Sequence, residues 1–141
     1  MFTPVTDFLV KKGELQTTRF DENRGPPLKP GEARLKVDEF AFTANNITYA
    51  VFGDMMKYWN FYRAPEGWGR IPVWGYATVA ESKAEGVAVG ERVFGYLPMS
   101  TSFVIQAGKL GPKSVSDMSP WRAEMSPVYS RYAFTKADAN Y

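Results

Sequence analysis

Two residue types are missing from this chain of 141 residues, cysteine and histidine. Without cysteine there is no disulfide, no thiolate nucleophile and no sulfur-ligated metal. Without histidine the chain lacks the usual general base, the commonest metal ligand and every catalytic triad built on imidazole. Its 15 acidic residues are scattered, so only carboxylate or carbonyl oxygens remain as ligands, and these suit a hard cation.

Long apolar runs are missing as well. No stretch approaches ~18 uninterrupted apolar residues, and the N-terminus has no basic region followed by an apolar run. We therefore expect a cytoplasmic protein without a membrane partner. The formal charge is only +2, and the basic residues are interleaved with acids, which argues against a nucleic-acid partner. Residues 57–63 keep that alternative open, because four aromatic residues there stand between two cations.

The residues that are present favour one folded domain over residues 1–141, mainly β with short helices. Hydrophobic residues make up 45% of the chain and aromatic residues 16%, enough for a core at this length. Ala33, Leu35 and Val37 alternate with charged residues, which predicts a strand with one apolar face. Similar patterns predict strands at residues 8–12, 15–20, 76–82, 92–97 and 101–107.

Helical signals are short and lie in two places. Asn45 or Asn46 could cap a helix over residues 47–52, and Gly53 would end it. An aromatic loop is expected over residues 55–70. Beyond Gly111, residues 112–141 contain two Ser-Pro helix starts and apolar residues at helical spacing, which predict a helical extension.

Two motifs carry a family resemblance. Residues 71–96 form two β-rich runs with glycine at turn positions, and residues 30–37 read Pro-Gly-Glu followed by an alternating strand. Both resemble the GroES-like N-terminal domain of medium-chain dehydrogenase/reductases. Residues 43–54 and 66–70 narrow the resemblance to a zinc-free, quinone-oxidoreductase-like branch of uncharacterised, DUF2855-type proteins.

This resemblance implies a GroES-like, partly open β-barrel whose C-terminal helical segment leads to an absent Rossmann domain. No Gly-x-Gly-x-x-Gly turn follows a strand, so cofactor-binding residues are unknown and the chain alone is expected to bind no cofactor. The full-length relative would use NADPH or NADH to reduce a quinone, enone or carbonyl substrate. An exposed sheet edge would also permit a homodimer.

The resemblance also implies candidate catalytic residues. Zinc-dependent relatives carry a histidine where this chain has Tyr76 and a cysteine where it has the pair Asn45 and Asn46. No metal site is therefore expected. Asn45, Asn46 and Tyr49 fall at the pocket floor, where amides and a phenol could donate hydrogen bonds to a carbonyl oxygen. The alternatives are that Asn45 only caps the helix and that Tyr49 and Tyr76 are core or rim aromatics.

Four aromatic residues are candidates for substrate binding. Trp59, Tyr62 and Trp68 would line an apolar wall for a flat substrate, with Tyr76 as a ring wall or donor, although packing explains them equally well. The first hypothesis is thus the substrate-binding domain of a zinc-independent NAD(P)H-dependent oxidoreductase, inactive without its cofactor domain. The second is a stand-alone binding or scaffold domain that self-associates through its aromatic loop or open edge.

Overall fold

The computed structural model describes residues 3–51, 59, 62, 64–123 and 125–139, and this part of the chain is mainly β, as the sequence predicts. Its strands and helix, in chain order, are β1 Thr3–Lys11, β2 Glu14–Gly25, β3 Glu32–Ala41, α1 Ala44–Val51, β4 Trp68–Gly69, β5 Pro72–Ser82, β6 Arg92–Pro98, β7 Ser102–Gly108, β8 Ser114–Asp117 and β9 Arg131–Phe134. Single-turn 3₁₀ helices occupy Pro120–Arg122, Pro127–Tyr129 and Thr135–Ala137.

Strands β1, β2 and β4 form a small antiparallel sheet in the order β2-β1-β4. Its hairpin turns at Gly13, whose φ of +82° lies in the left-handed region that favours glycine. The predicted opening pair of strands is therefore confirmed, and both strands are longer than predicted. Strand β2 pairs only with β1 among the described residues, so its outer edge faces solvent.

The other six strands close into an antiparallel barrel in the order β3-β5-β6-β9-β8-β7. The sequence predicted a partly open barrel, and this was wrong. The gap between β6 and β7 is filled by β8 and β9, which pair with those strands and with each other. Closure pairs the edges that an open barrel would expose.

The predicted helical extension over residues 112–141 was also wrong for the described part of that segment. Pro120 and Pro127 each begin a helix where predicted, but each helix is one 3₁₀ turn. Buried and exposed side chains alternate along β9, and Tyr132 and Phe134 are the buried ones. Tyr132 pairs with Val115 of β8. Closing the barrel buries these side chains better than an isolated amphipathic helix would, because tertiary packing outweighs local helical spacing.

The barrel interior is the main core. Buried apolar side chains alternate along β5, where Val73, Ala77 and Val79 point inward, and Leu35, Leu97 and Ile105 meet them from β3, β6 and β7. Each fully buried valine, leucine or isoleucine contributes roughly 1.5–3 kcal/mol. The outward residues of β5, including Trp74 and Tyr76, are only half-buried and form part of the surface considered below.

Helix α1 leads away from β3 and packs on the start of β5. It begins at Ala44, so Thr43 precedes it and Asn46 occupies the third helical position. The predicted cap at Asn45 or Asn46 was therefore misplaced, although Asn46 does accept a hydrogen bond from the Thr43 backbone N–H at 2.7 Å, as in a capping box. Gly53 and most of the predicted aromatic loop lie outside the described residues. No described helix is long and apolar enough to cross a membrane.

Candidate functional site

An aromatic face covers the outside of the barrel where β3, β5 and β6 lie side by side. We define it by Phe40, Trp74, Tyr76 and Phe94. The Trp74 and Phe94 rings stack with centroids 6.0 Å apart, and the Tyr76 ring lies 5.1 Å from Phe94. These side chains line an open groove of about 330 Å³. Aromatic side chains that line an open groove make this face a candidate binding surface.

A charged rim borders the aromatic face at Tyr76. The Arg92 guanidinium lies over the Tyr76 ring, 4.6 Å from its centroid. Glu39 and Asp38 hold Arg92 in place, with ion-pair distances of 2.9 Å and 3.5 Å. The cation covers part of the Tyr76 ring and orients it, because guanidinium groups are attracted to aromatic faces.

The candidate residues of α1 have different environments. Asn46 is buried, and its amide joins the helix to the barrel by donating from Nδ2 to the Pro72 carbonyl at 3.0 Å. With its Oδ1 accepting from Thr43, Asn46 positions α1 beside the aromatic face. Asn45 is exposed on the first turn of α1. The Tyr49 side chain lies outside the described part of the structure.

The predicted substrate wall divides between two regions. Trp59 is buried against Gly69, and Trp68 lies beside it on β4 with the Arg19 guanidinium 4.3 Å from its ring. Trp68 therefore belongs to the small sheet and Trp59 packs against it, whereas Tyr76 lies on the barrel. Tyr62 is buried near the aromatic face, because its ring is 6.4 Å from that of Tyr96, which contacts Trp74 at 5.0 Å.

Sequence reasoning missed a buried polar cluster beneath this region, the Arg122 network, formed by Tyr62, Asp117, Arg122 and Tyr132. Arg122 pairs with Asp117 at 3.1 Å, and both side chains are 2% exposed. The Arg122 guanidinium also lies 4.9 Å from the centre of the Tyr62 ring. The Tyr62 and Tyr132 hydroxyls lie 3.2 Å apart and both donate to the Tyr96 carbonyl.

The electrostatics of the Arg122 network keep its phenols neutral. Burial raises the pKa of Tyr62 well above its usual value, and proximity to Tyr132 raises it further, while Arg122 opposes both effects. Burial likewise raises the pKa of Tyr132. Both hydroxyls therefore stay protonated at physiological pH, where they serve as hydrogen-bond donors rather than as bases.

No local pattern marks this network in the sequence. Tyr62 and Tyr132 are 70 positions apart, and Arg122 follows a tryptophan in a segment that looked like the start of a surface helix. Only Asp117 carried a weak signal, because a Ser-Asp-Met-Ser-Pro run favours the local turn in which Asp117 accepts from the Ser119 backbone N–H at 3.0 Å.

Neither a metal cluster nor a phosphate cradle is evident in the part of the chain that the structure describes. No three acidic side chains there converge as cation ligands. Helix α1 follows the sequence Ala-Phe-Thr, without the glycines that let a backbone approach a pyrophosphate. Helix α1 therefore lacks the glycine-rich turn that is typical of a pyrophosphate site.

Comparison with known proteins places the chain in a family. The model of a protein family of unknown function, DUF2855, matches residues 40–141, which is well over half of the chain and includes the aromatic face and the Arg122 network. No curated protein sequence matches it. The resemblance to DUF2855-type proteins is thus confirmed, and the chain belongs to the DUF2855 family.

Proposed function

We propose that the chain is a GroES-like, substrate-side domain of a zinc-independent reductase that uses NADPH or NADH held by another domain. The aromatic face is the main support, because it offers an open groove of flat rings next to α1, the helix that carries Asn45 and Asn46. The motifs at residues 71–96, which resemble those of medium-chain dehydrogenase/reductases, also support this proposal. The substrate class that suits such a groove is a quinone, an enone or another conjugated carbonyl compound.

We expect the groove to bind the substrate and to polarise its carbonyl group. A conjugated ring would stack on Trp74 and Phe94, whose rings already adopt a stacked arrangement. The Tyr76 phenol, and the exposed amide of Asn45, would donate to the carbonyl oxygen as negative charge develops on it. Because the sequence has no Gly-x-Gly-x-x-Gly turn after a strand, the chain by itself is expected to bind substrate without turning it over.

A binding titration tests this proposal. We expect 1,4-naphthoquinone to quench the tryptophan fluorescence of the chain saturably, and Phe94→Ala to weaken its binding by up to about tenfold through the lost ring contact. The matched control is Leu110→Ala, which removes an exposed apolar side chain that does not line the groove. Equal loss of affinity in both variants, or quenching that never saturates, would rule out the aromatic face as the quinone site.

The edge of the small sheet favours a second candidate, a binding domain that self-associates. Strand β2 has 12 residues and an unpaired edge among the described residues, and Phe20 on it is 74% exposed. Antiparallel pairing of two β2 strands centred on Phe20 would place Arg19 of each copy opposite Asp21 of the other. Such opposite charges stabilise cross-strand pairs.

Light scattering after size exclusion tests the second candidate. We expect a dimer that Phe20→Lys converts to monomer, because two lysines would then face each other at the twofold axis. The control is Val89→Lys, which places the same charge at an exposed site in another hairpin. A monomer at all concentrations, or a dimer that both variants leave unchanged, would exclude pairing through β2.

A further inference from the structure

A second cavity, of about 270 Å³, lies where the small sheet meets the barrel and shares no wall residue with the groove of the aromatic face. Its charged wall residues are three arginines and two aspartates, Arg34, Arg70, Arg122, Asp7 and Asp117. The two aspartates pair with Arg70 and Arg122, at 2.9 Å and 3.1 Å, and Arg34 pairs with Glu81, which is not a wall residue. A ligand must therefore be recognised by individual N–H and O–H groups on the wall, and not by an excess of charge.

Arg34 supplies the strongest evidence for a ligand. Its side chain is 2% exposed, and it donates through Nε to Glu81 at 3.0 Å and through Nη2 to the Pro26 carbonyl. No described residue accepts a hydrogen bond from its Nη1. That nitrogen lies beside Gly25, another wall residue, where an added Cβ would approach it to 2.5 Å. A guanidinium N–H group that faces the cavity without a protein acceptor can donate a charge-assisted hydrogen bond to a carboxylate.

Ser102 adds a second donor on the same wall. It is 9% exposed, and its hydroxyl has no hydrogen-bond partner among the described residues. Natural proteins rarely leave a buried hydroxyl unsatisfied, and such groups often face a ligand or ion. Rotation about its Cα–Cβ bond lets this hydroxyl donate to an acceptor in the cavity.

The remaining wall is apolar and aromatic, with Tyr62, Phe103 and Trp121 among its residues. We propose that this cavity binds a small organic carboxylate with an apolar ring, its carboxylate held by Arg34 and Ser102. The cavity volume is below the range typical of pockets that hold drug-sized ligands. The apolar part of the ligand is therefore limited to one or two rings. Asp7 and Asp117 would repel a dianion, so a phosphate monoester or sulfate is a poorer match.

Isothermal titration with 2-naphthoate tests the proposal, with the neutral isostere 2-naphthamide for comparison. We expect naphthoate to bind with 1:1 stoichiometry and the amide to bind at least tenfold more weakly, because it lacks the charge that the guanidinium recognises. Sulfate should not compete. Equal affinity for acid and amide, or complete displacement of naphthoate by equimolar sulfate, would overturn the assignment.

Three variants locate the site. Gly25→Ala should weaken naphthoate binding at least tenfold, because the new methyl group displaces Nη1 of Arg34, and its φ is not one that requires glycine. Ser102→Ala should weaken binding about threefold to tenfold while preserving the fold, since its hydroxyl has no partner to lose. Ser114→Ala on β8 is the matched control and should bind like the wild type.

Circular dichroism melting of each variant separates lost binding from lost folding. If Gly25→Ala does not fold, Ser102→Ala decides the result alone. Wild-type affinity in a folded Ser102→Ala protein, or equal losses in Ser102→Ala and Ser114→Ala, would place the carboxylate elsewhere. This cavity and the aromatic face share no wall residue. Failure of the naphthoate test would therefore not contradict the proposed quinone site, and the reverse also holds.

Discussion

Replacing Arg122 by methionine is expected to lower the free energy of unfolding by about 3–5 kcal/mol, the usual cost of breaking a buried ion pair by removing one partner. Asp117 would remain 2% exposed without its cation, keeping hydrogen bonds from the Gln106 and Ser119 backbone N–H groups. These donors do not cancel its charge. Since a domain is typically stable by only about 5–15 kcal/mol, this variant is expected to lose at least roughly a fifth of its stability.

Urea denaturation followed by circular dichroism measures this effect. The control is Lys11→Met, which breaks the exposed pair of Lys11 with Glu14 at 3.6 Å and should cost less than about 1 kcal/mol. Adding Asp117→Asn to Arg122→Met should restore part of the stability, because it removes the unpaired charge. A loss below about 1 kcal/mol for Arg122→Met, or no recovery in the double variant, would show that this pair contributes little to the free energy of unfolding.

Gly75→Ala is expected to cost about 3 kcal/mol, the upper end of the usual range for overpacking. A Cβ at this position would overlap the Glu39 backbone carbonyl and come within 2.7 Å of the Phe40 Cα. Both neighbours are backbone atoms of β3, next to an irregularity in its pairing with β5. The clash therefore cannot be relieved by turning a side chain, and β3 must separate from β5.

The matched control for this prediction is Gly111→Ala, where an added Cβ meets no atom within 4 Å and the backbone has no positive φ. Its stability should change by less than about 0.5 kcal/mol. Thermal melts of both variants, together with naphthoquinone titrations, test structure and binding at once. Equal stability of the two alanine variants would show that β3 can move away from β5 without cost. Because Gly75 lines the groove, Gly75→Ala should also weaken quinone binding.

Most of the strands could be predicted from the sequence by itself. The alternation of Ala33, Leu35 and Val37 predicted β3, and similar patterns predicted β5, β6 and β7 close to their observed ranges. This works because a strand with one buried face must place apolar residues at every second position, which any short window of sequence displays. The resemblance to DUF2855-type proteins likewise came from local motifs, as did the choice of Tyr76 as a candidate residue.

Tertiary structure decided the closure of the barrel, the fate of the C-terminal segment and the buried chemistry. Tyr132 lies at a spacing that suits a helix or a strand, and only pairing with Val115, 17 positions earlier in the chain, selects the strand. The Arg122 network and the cavity between the small sheet and the barrel likewise gather residues from distant elements. The physical reason is the same in each case: an isolated segment cannot show which distant surface will bury it, whereas the free energy of the whole fold depends on that burial.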